Sequence, residues 1–279
     1  MLRGWKASAP QPNGSWVLLF HGVADNRVGV IGQSEFLLRA GYGVVMMDAR
    51  AHGASEGSMA TYGWLERNDT HAIIDALVSD PSVYRAKPVT PAPSSSVISS
   101  TSFTSSTPST SSTSAFHLFA LGESMGAAIA LQSAAADPRI EAVVAEASFA
   151  NLREASYDYA GLRWSPLIGK TLFAPFSWTL IYRGESLAGF HAAEVSPEKS
   201  VAARAFPVLL ICDEKDVALP CRHTERIYAA ARGPKQLWVV PDAFHTAALG
   251  FQPLEFRRRV LAFFGEVATK NAKDTPVKN

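Results

Sequence analysis

The chain has 279 residues, 47% of them hydrophobic, so it is long enough to bury one sizeable core. Its 26 basic and 25 acidic residues leave a net charge of +1, which gives no support for binding to nucleic acid or to an anionic membrane surface. No apolar run approaches the ~18 residues of a membrane span, and the polar N-terminus, MLRGWKASAPQPNG, lacks the apolar segment of a secretory signal. We therefore expect a soluble cytoplasmic protein.

The chain contains two cysteines, Cys212 and Cys221, too few for a fold built on a disulfide framework. Because disulfides are rare in reducing compartments, we expect two free thiols, with pairing of the two as the alternative. Both cysteines flank an acidic segment, DEKDVALP, at residues 213–220.

Short apolar runs alternate with helix-like segments along most of the chain. Strands are predicted at residues 16–20, 42–48, 116–122, 140–147, 207–213 and 236–242. Helices are predicted at residues 31–41, 64–80 and 125–137, each of which ends at a glycine or just before a proline. Continuous apolar strands that alternate with helices are typical of an α/β domain with a mostly parallel sheet covered on both faces.

Residues 88–115 consist almost entirely of Ser, Thr and Pro. A segment of this composition cannot bury enough apolar surface to offset the entropy of ordering it. A linker between two domains is the alternative, but the predicted strands on either side belong to one alternating series. The sequence therefore predicts a single domain over residues 1–279 with a disordered surface insertion at 88–115.

Residues 148–200 carry many large apolar and aromatic side chains without strand or heptad periodicity. The segment is too apolar for a solvated loop, which favours short helices packed over the edge of the sheet. We expect a small helical cap over a pocket, with an ordinary packing excursion as the alternative.

The stretch GESMG places Ser124 between Gly122 and Gly126, after a predicted strand and before a predicted helix. A sharp strand-to-helix turn holds its apical residue in a strained conformation and leaves no room for neighbouring side chains. The turn would expose the Ser124 hydroxyl at the positive end of the helix dipole. The pattern alone is weakly specific, but this context favours a nucleophile.

A serine nucleophile needs a histidine base, which in turn needs an acid to orient it. Of the seven histidines, His245 directly follows the last predicted strand, whereas His223 falls on a predicted helix surface. The acid is expected after a strand between Ser124 and His245, where Asp213, Glu214 and Asp216 are all available.

Five segments together resemble the motifs of the α/β-hydrolase superfamily, in that family's order. They are LLFHGVADNR, MMDARAHGASEG, LGESMG, LLICDEKDVALP and VVPDAFH. The chain is identified as a member of the serine-hydrolase branch that includes carboxylesterases and serine-aminopeptidase-like hydrolases, over nearly its whole length outside 88–115. The resemblance implies an α/β-hydrolase fold with a mostly parallel central sheet flanked by helices and a small helical cap.

The same resemblance assigns the site residues. It places the acid at Asp216, with Asp213 at the position of a glycine in the family's usual motif. It also implies an oxyanion hole formed by the backbone N–H groups of Val23 and Met125. Family members usually have two further strands before the segment that begins at Trp16, so we expect a sheet shortened at its N-terminal edge or a true start upstream of Met1.

The resemblance implies a carboxylesterase that needs neither a metal nor an organic cofactor and acts on a small-molecule ester through an acyl-enzyme. Esters of short to medium acyl chain are favoured, because the cap region supplies an apolar lining. The predicted lining residues are Leu162, Trp164, Phe173, Phe176 and Trp178.

Two other functions remain open. A peptidase or amidase of the same fold would need an acidic patch for a free amine, for which Glu146, Glu154 and Glu185 are candidates. A binding protein without turnover is the other, although it would have no need of a complete triad. The sequence predicts no oligomeric state.

Overall fold

The structure, a computed structural model, describes residues 1–83, 116–160, 167, 171–172 and 174–274. The predicted insertion at 88–115 lies outside the described residues. So do three of the predicted pocket residues, Leu162, Trp164 and Phe173.

The described residues contain a seven-stranded sheet with the order β1-β3-β2-β4-β5-β6-β7. The strands are β1 Gly4–Ala7, β2 Ser15–Phe20, β3 Gly43–Met47, β4 His117–Glu123, β5 Ala142–Glu146, β6 Val208–Asp213 and β7 Lys235–Val240. Only β1 runs antiparallel to its neighbour. The carboxyl ends of β2 to β7 therefore share one edge, where parallel α/β sheets place their sites.

Helices connect and cover these strands. They are α1 Ile31–Arg39, α2 Glu66–Val78, α3 Met125–Ala136, α4 Leu152–Ala160, α5 Ala174–Ala188, α6 Pro197–Ala203, α7 Arg222–Ala230, α8 Ala248–Phe251 and α9 Pro253–Asp274. None of the helices in the described part of the chain combines the length and the apolar character needed to cross a bilayer.

Alternate residues of each strand serve opposite faces of the sheet. In β2, Trp16 and Leu18 join an apolar cluster with α2 and α3, whereas Val17 and Leu19 join a second cluster with α1 and α9. This two-sided burial is why the strands read as continuous apolar runs. The predicted α/β sheet covered on both faces is confirmed.

The N-terminal edge of the sheet carries one short strand that the sequence did not predict. β1 pairs with β3 from Gly4 opposite Met47 to Ala7 opposite Val44. Its first three residues are exposed, so no apolar pattern marks it in the sequence. The edge thus has one strand before β2 where family members usually have two, in line with the expected shortening of the sheet at this edge.

Among the described residues of the cap region, α4 and α5 are helical, and a third apolar cluster lies beneath them. Ala155 of α4 is buried in this cluster with Phe149, Phe190 and Leu219, and Ile181 of α5 packs against it. The helices therefore rest on a shared apolar base beside the site edge. Their role as a cap over a pocket stays a prediction.

Cys212, in β6, and Cys221, directly before α7, form a disulfide with their Cα atoms 5.4 Å apart. The expectation of two free thiols is therefore wrong. That expectation rested on an assumed reducing compartment, and disulfides persist mainly in oxidising ones. The pair closes a ring around the loop that carries Asp213 and Asp216.

Candidate active site

Ser124 occupies the apex of the turn between β4 and α3. Its backbone has a φ of 53° and a ψ of −116°, a conformation that a residue with a side chain rarely adopts. A Cβ added to Gly122 would lie 2.3 Å from the Gly126 carbonyl oxygen, and one added to Gly126 would lie 2.2 Å from that of Phe20. Both glycines are therefore required sterically, as the sequence predicted for a strained turn.

The His245 ring connects Ser124 to Asp216. Nε2 lies 2.9 Å from the Ser124 Oγ, and Nδ1 lies 2.6 Å from the Asp216 Oδ2. With the proton on Nδ1 donated to the carboxylate, Nε2 is free to accept the serine proton. This chain of hydrogen bonds can activate the Ser124 hydroxyl as a nucleophile.

The structure distinguishes the three acids that the sequence offered as partners of the histidine base. The second oxygen of Asp216, Oδ1, accepts the backbone N–H groups of Ala218 and Leu219 at 2.8 and 2.9 Å, which fixes the carboxylate in the loop. Asp213 instead accepts the Thr246 N–H at 2.9 Å. Glu214 accepts the Asp242 N–H at 3.0 Å. Of the three, Asp216 is the one bonded to the His245 ring.

The loop after β2 lies beside the nucleophile. A Cβ added to Gly22 would be 3.7 Å from the Cβ of Ser124. His21 anchors this loop, since its Nδ1–H donates to the Gly22 carbonyl at 2.7 Å and its Nε2 accepts the Ala49 N–H at 3.0 Å. Burial lowers the pKa of His21, which favours the neutral ring that these bonds require.

Val23 and Met125 belong to the two chain segments that meet at Ser124, the loop after β2 and the start of α3. Val23 directly follows Gly22, whose added Cβ would contact the Ser124 Cβ. Met125 is the first residue of α3, where the backbone N–H groups have no partner inside the helix. These positions fit the predicted oxyanion hole, and the donor roles of the two N–H groups stay predictions.

Buried carboxyl groups surround the site, which the sequence analysis did not anticipate. Burial and the charge of Asp25 raise the pKa of Glu123 to about 7, and its Oε2 accepts from Gln33 Nε2 at 3.1 Å. Burial raises the pKa of Asp213 to about 6. The pKa of Glu146 is also raised, by burial and then by the charge of Asp213. The sequence carries one signal for these groups, since each of the three acids is the last residue of an apolar strand.

We expect Glu123→Gln to stabilise the protein at high pH. A raised carboxyl pKa means that the folded state binds more protons than the unfolded state between about pH 4.5 and 7, so stability falls as pH rises through that window. The shift from 4.5 to about 7 corresponds to about 3 kcal/mol. The variant, whose side chain stays neutral, should lose this fall in the free energy of unfolding between pH 4.5 and 8.

Urea unfolding at the two pH values measures the effect, with Glu35→Gln on the exposed face of α1 as the matched control. The control should keep the pH dependence of the parent. A fall in stability of equal size in Glu123→Gln and the parent would contradict the raised pKa.

Phe176 and Trp178 are exposed residues of α5. They are 61% and 60% exposed, and the Trp178 ring stacks on Tyr182 with 6.3 Å between centroids. Such exposure differs from the enclosed apolar lining that the sequence predicted for them. In the described part of the chain both side chains are exposed on the protein surface.

His223 is buried, although the sequence placed it on a helix surface. It is 1% exposed and its Nε2 lies 2.8 Å from the Asp158 carboxylate. It therefore links α7 to α4 and has a structural partner away from Ser124. Among the described residues, no group of three His, Cys, Asp or Glu side chains could hold a metal ion.

The comparisons with known proteins agree with this geometry. The family model of the X-Pro dipeptidyl-peptidases (S15 family) matches residues 5–178, more than half of the chain. The chain belongs to the S15 family. It is 27% identical over 257 residues to YqkD of Bacillus subtilis, an uncharacterized protein, covering 91% of this chain and 72% of that one.

Solved structures show the fold of this S15 member. The esterase Pf2001 of Pyrococcus furiosus superposes with a TM-score of 0.65 at 21% identity, covering 95% of this chain and 92% of the esterase. A monoacylglycerol lipase of Paleococcus ferrophilus gives a TM-score of 0.59 at 16% identity, covering 96% and 99%. The chain is thus a serine hydrolase of the α/β-hydrolase fold, and the family resemblance inferred from its motifs is confirmed.

Proposed function

We propose that the protein is a carboxylesterase that cleaves esters of short to medium acyl chain, with Ser124, His245 and Asp216 as its catalytic residues. The observation that carries the proposal is the continuous hydrogen-bonded chain from the Ser124 hydroxyl through the His245 ring to the Asp216 carboxylate. A hydroxyl that already donates to a neutral imidazole has its proton acceptor in place before the substrate arrives.

Acylation begins when the Ser124 oxygen attacks the ester carbonyl carbon and its proton passes to His245 Nε2. The Asp216 carboxylate stabilises the imidazolium through Nδ1–H. The tetrahedral oxyanion would accept hydrogen bonds from the Val23 and Met125 N–H groups, each worth about 3–4 kcal/mol to the transition state. Nε2–H then protonates the leaving alcohol, and the acyl group stays on Ser124.

Deacylation repeats these steps with water. His245 Nε2 takes one proton of the water while its oxygen attacks the acyl carbon. When the second tetrahedral intermediate collapses, the Nε2 proton returns to the Ser124 oxygen and the carboxylic acid leaves. The cycle involves no redox change, and His245 Nε2 carries each proton between the nucleophile and the leaving group.

The acyl preference is proposed from the position of the nucleophile and from the cap region. Ser124 is buried, 7% exposed, so the ester must enter a restricted opening to reach it. The apolar base of the cap, including Phe149 and Leu219, lies next to α3 and offers contacts to an acyl chain. A restricted apolar opening favours short to medium chains.

The peptidase implied by the family's name is the second candidate, and the carboxylates named for amine binding argue against it. Glu146 is buried and accepts the Ala248 N–H at 2.9 Å. Glu154 pairs with Arg226. Glu185 accepts the Ala192 N–H at 2.8 Å. With all three engaged, they offer no ready site for the free amine of a peptide.

Two measurements on the purified protein test the proposal. A fluorophosphonate probe should label Ser124, located by mass spectrometry, and Ser124→Ala should abolish the labelling. The protein should hydrolyse p-nitrophenyl acetate and butyrate and leave Gly-Pro-p-nitroanilide intact. Faster release from the anilide would favour the peptidase. The absence of both labelling and turnover would favour a binding protein.

A further inference from the structure

Two buried carboxyl groups hold the backbone that directly follows His245. The Thr246 N–H donates to the Asp213 Oδ2 at 2.9 Å, and the Ala248 N–H donates to the Glu146 Oε1 at 2.9 Å. The N–H between them, that of Ala247, donates to the Phe244 carbonyl at 3.0 Å. Asp213 ends β6 and Glu146 ends β5, so two adjacent strands reach the same turn.

The turn is strained at its first residue. Thr246 has a φ of 56°, in the left-handed region that a β-branched side chain disfavours. Such a conformation persists only where the surroundings fix it, and strained residues cluster at functional sites. The hydrogen bonds to Asp213 and Glu146 supply that restraint on the C-terminal side of His245.

The N-terminal side of the histidine loop is held by different contacts. Lys215 N–H donates to the Ala243 carbonyl at 2.8 Å, and the Lys215 ammonium pairs with Asp242 on the surface. These contacts fix the loop before His245, whereas the N–H groups of Thr246 and Ala248 after it are held by the two buried acids. His245 must meet Ser124 and Asp216 at once, so both sides need to be fixed.

We propose that Asp213 and Glu146 are positioning residues of the hydrolase reaction, which hold the strained turn at Thr246 so that the His245 ring bridges Ser124 and Asp216. The inference rests on the proposed function, since it assigns a purpose to the placement of His245. Neither acid touches the reacting atoms, and both act through the backbone of the histidine loop.

The chemistry of the two acids suits this task. Asp213 and Glu146 are 1% and 2% exposed, so water cannot replace their bonds to the turn. Burial raises the pKa of Asp213 to about 6, which leaves it ionised above that pH, and hydrogen bonds to an ionised acceptor are the stronger ones. Other titratable groups near Asp213 are Asp216, His245 and Glu123.

Asp213→Ala tests the proposal through kcat and KM for p-nitrophenyl butyrate at pH 8. We expect kcat to fall by about 10- to 100-fold with KM nearly unchanged, because a misplacement of about 1 Å can cost about 100-fold. Asp213→Asn keeps an oxygen for the Thr246 N–H and should restore kcat to within about tenfold of the parent. We expect the same difference in kcat between Glu146→Ala, which removes the acceptor, and Glu146→Gln, which keeps an oxygen.

Hydrogen exchange measured by mass spectrometry gives a readout that needs no activity. The peptide spanning 244–249 should exchange faster in Asp213→Ala and in Glu146→Ala than in the parent. The matched control is Asp137→Ala, which removes a buried carboxylate that bonds Arg139 and His71 beyond α3. The control should lose stability while its kcat and the exchange of 244–249 stay at parental values.

The outcomes separate the two proposals. Parental kcat and parental exchange in both alanine variants would overturn the positioning role, even with an active esterase. Faster exchange at 244–249 in an alanine variant, with no hydrolysis by the parent, would support the restraint and overturn the esterase. Should one alanine variant not fold, the other carries the test. If neither folds, Asp213→Ser and Asp137→Ser are compared, because a serine at 213 is too short to keep the bond to the Thr246 N–H. Faster exchange of 244–249 in Asp213→Ser supports the restraint, and equal exchange overturns it.

Discussion

Ser124→Ala should abolish the hydrolysis of p-nitrophenyl esters and leave the melting temperature nearly unchanged. The Oγ of Ser124 makes one side-chain hydrogen bond, to the His245 ring, so its loss removes the nucleophile without opening a cavity in the core. In serine proteases, loss of the nucleophile lowers kcat by about a millionfold. Initial rates and thermal unfolding by circular dichroism measure the two effects.

Ser133→Ala is the matched control, because it deletes a buried hydroxyl of the same helix that bonds Thr70 and lies two turns beyond the nucleophile. The control should keep parental activity and lose some stability. Ser124→Ala turnover within about tenfold of the parent would overturn the nucleophile, since the residual rate would far exceed what the remaining groups supply.

The sequence predicted the fold well wherever burial leaves a continuous apolar run. The predicted strand at 207–213 is observed at Val208–Asp213, and the helix at 125–137 at Met125–Ala136. The strand lies inside the sheet and the helix packs against the sheet, where apolar character and secondary structure coincide. The α/β-hydrolase fold followed from these elements and the order of the motifs.

Two further elements, β1 and α9, were not predicted, and only the first of them lacks a signal in the sequence. β1 has exposed residues and pairs through its backbone, so its composition carries no strand signal. α9 was not predicted although Phe256, Val260 and Phe263 recur at helical spacing and are buried against the sheet. That pattern was present in the sequence, and a periodicity search over 253–274 would have found it.

The site was predicted in part, because some of its contacts join residues that lie far apart in the sequence. Ser124 and His245 each carry a local signal, a glycine-flanked turn and a position after the last strand. The acid was ambiguous from residues alone, and only the resemblance favoured Asp216. Glu146 lies 102 positions before Ala248, whose N–H it accepts, and no local pattern reports such a contact.

Asp216→Asn should lower kcat by at least about a thousandfold, because an amide cannot meet both demands on this carboxylate. Asp216 Oδ1 accepts the Ala218 and Leu219 N–H groups, and Oδ2 accepts the His245 Nδ1–H. If the amide oxygen keeps the backbone bonds, its NH₂ faces Nδ1 and forces the proton onto Nε2, the wrong tautomer for a base. In a serine protease this exchange costs about 10⁴ in kcat.

Asp213→Asn provides the comparison, since it makes the same change three residues earlier. Asp213 Oδ2 accepts the Thr246 N–H, and Oδ1 has no hydrogen-bond partner among the described residues. An amide can place its oxygen where Oδ2 accepts the Thr246 N–H and its NH₂ where Oδ1 lies, so kcat should fall by less than about tenfold. The opposite ranking of the two variants, measured as kcat at pH 8, would move the acid to Asp213. Small and equal effects would mean that His245 takes its orientation from the backbone of its own loop and that neither aspartate is the third member of the triad.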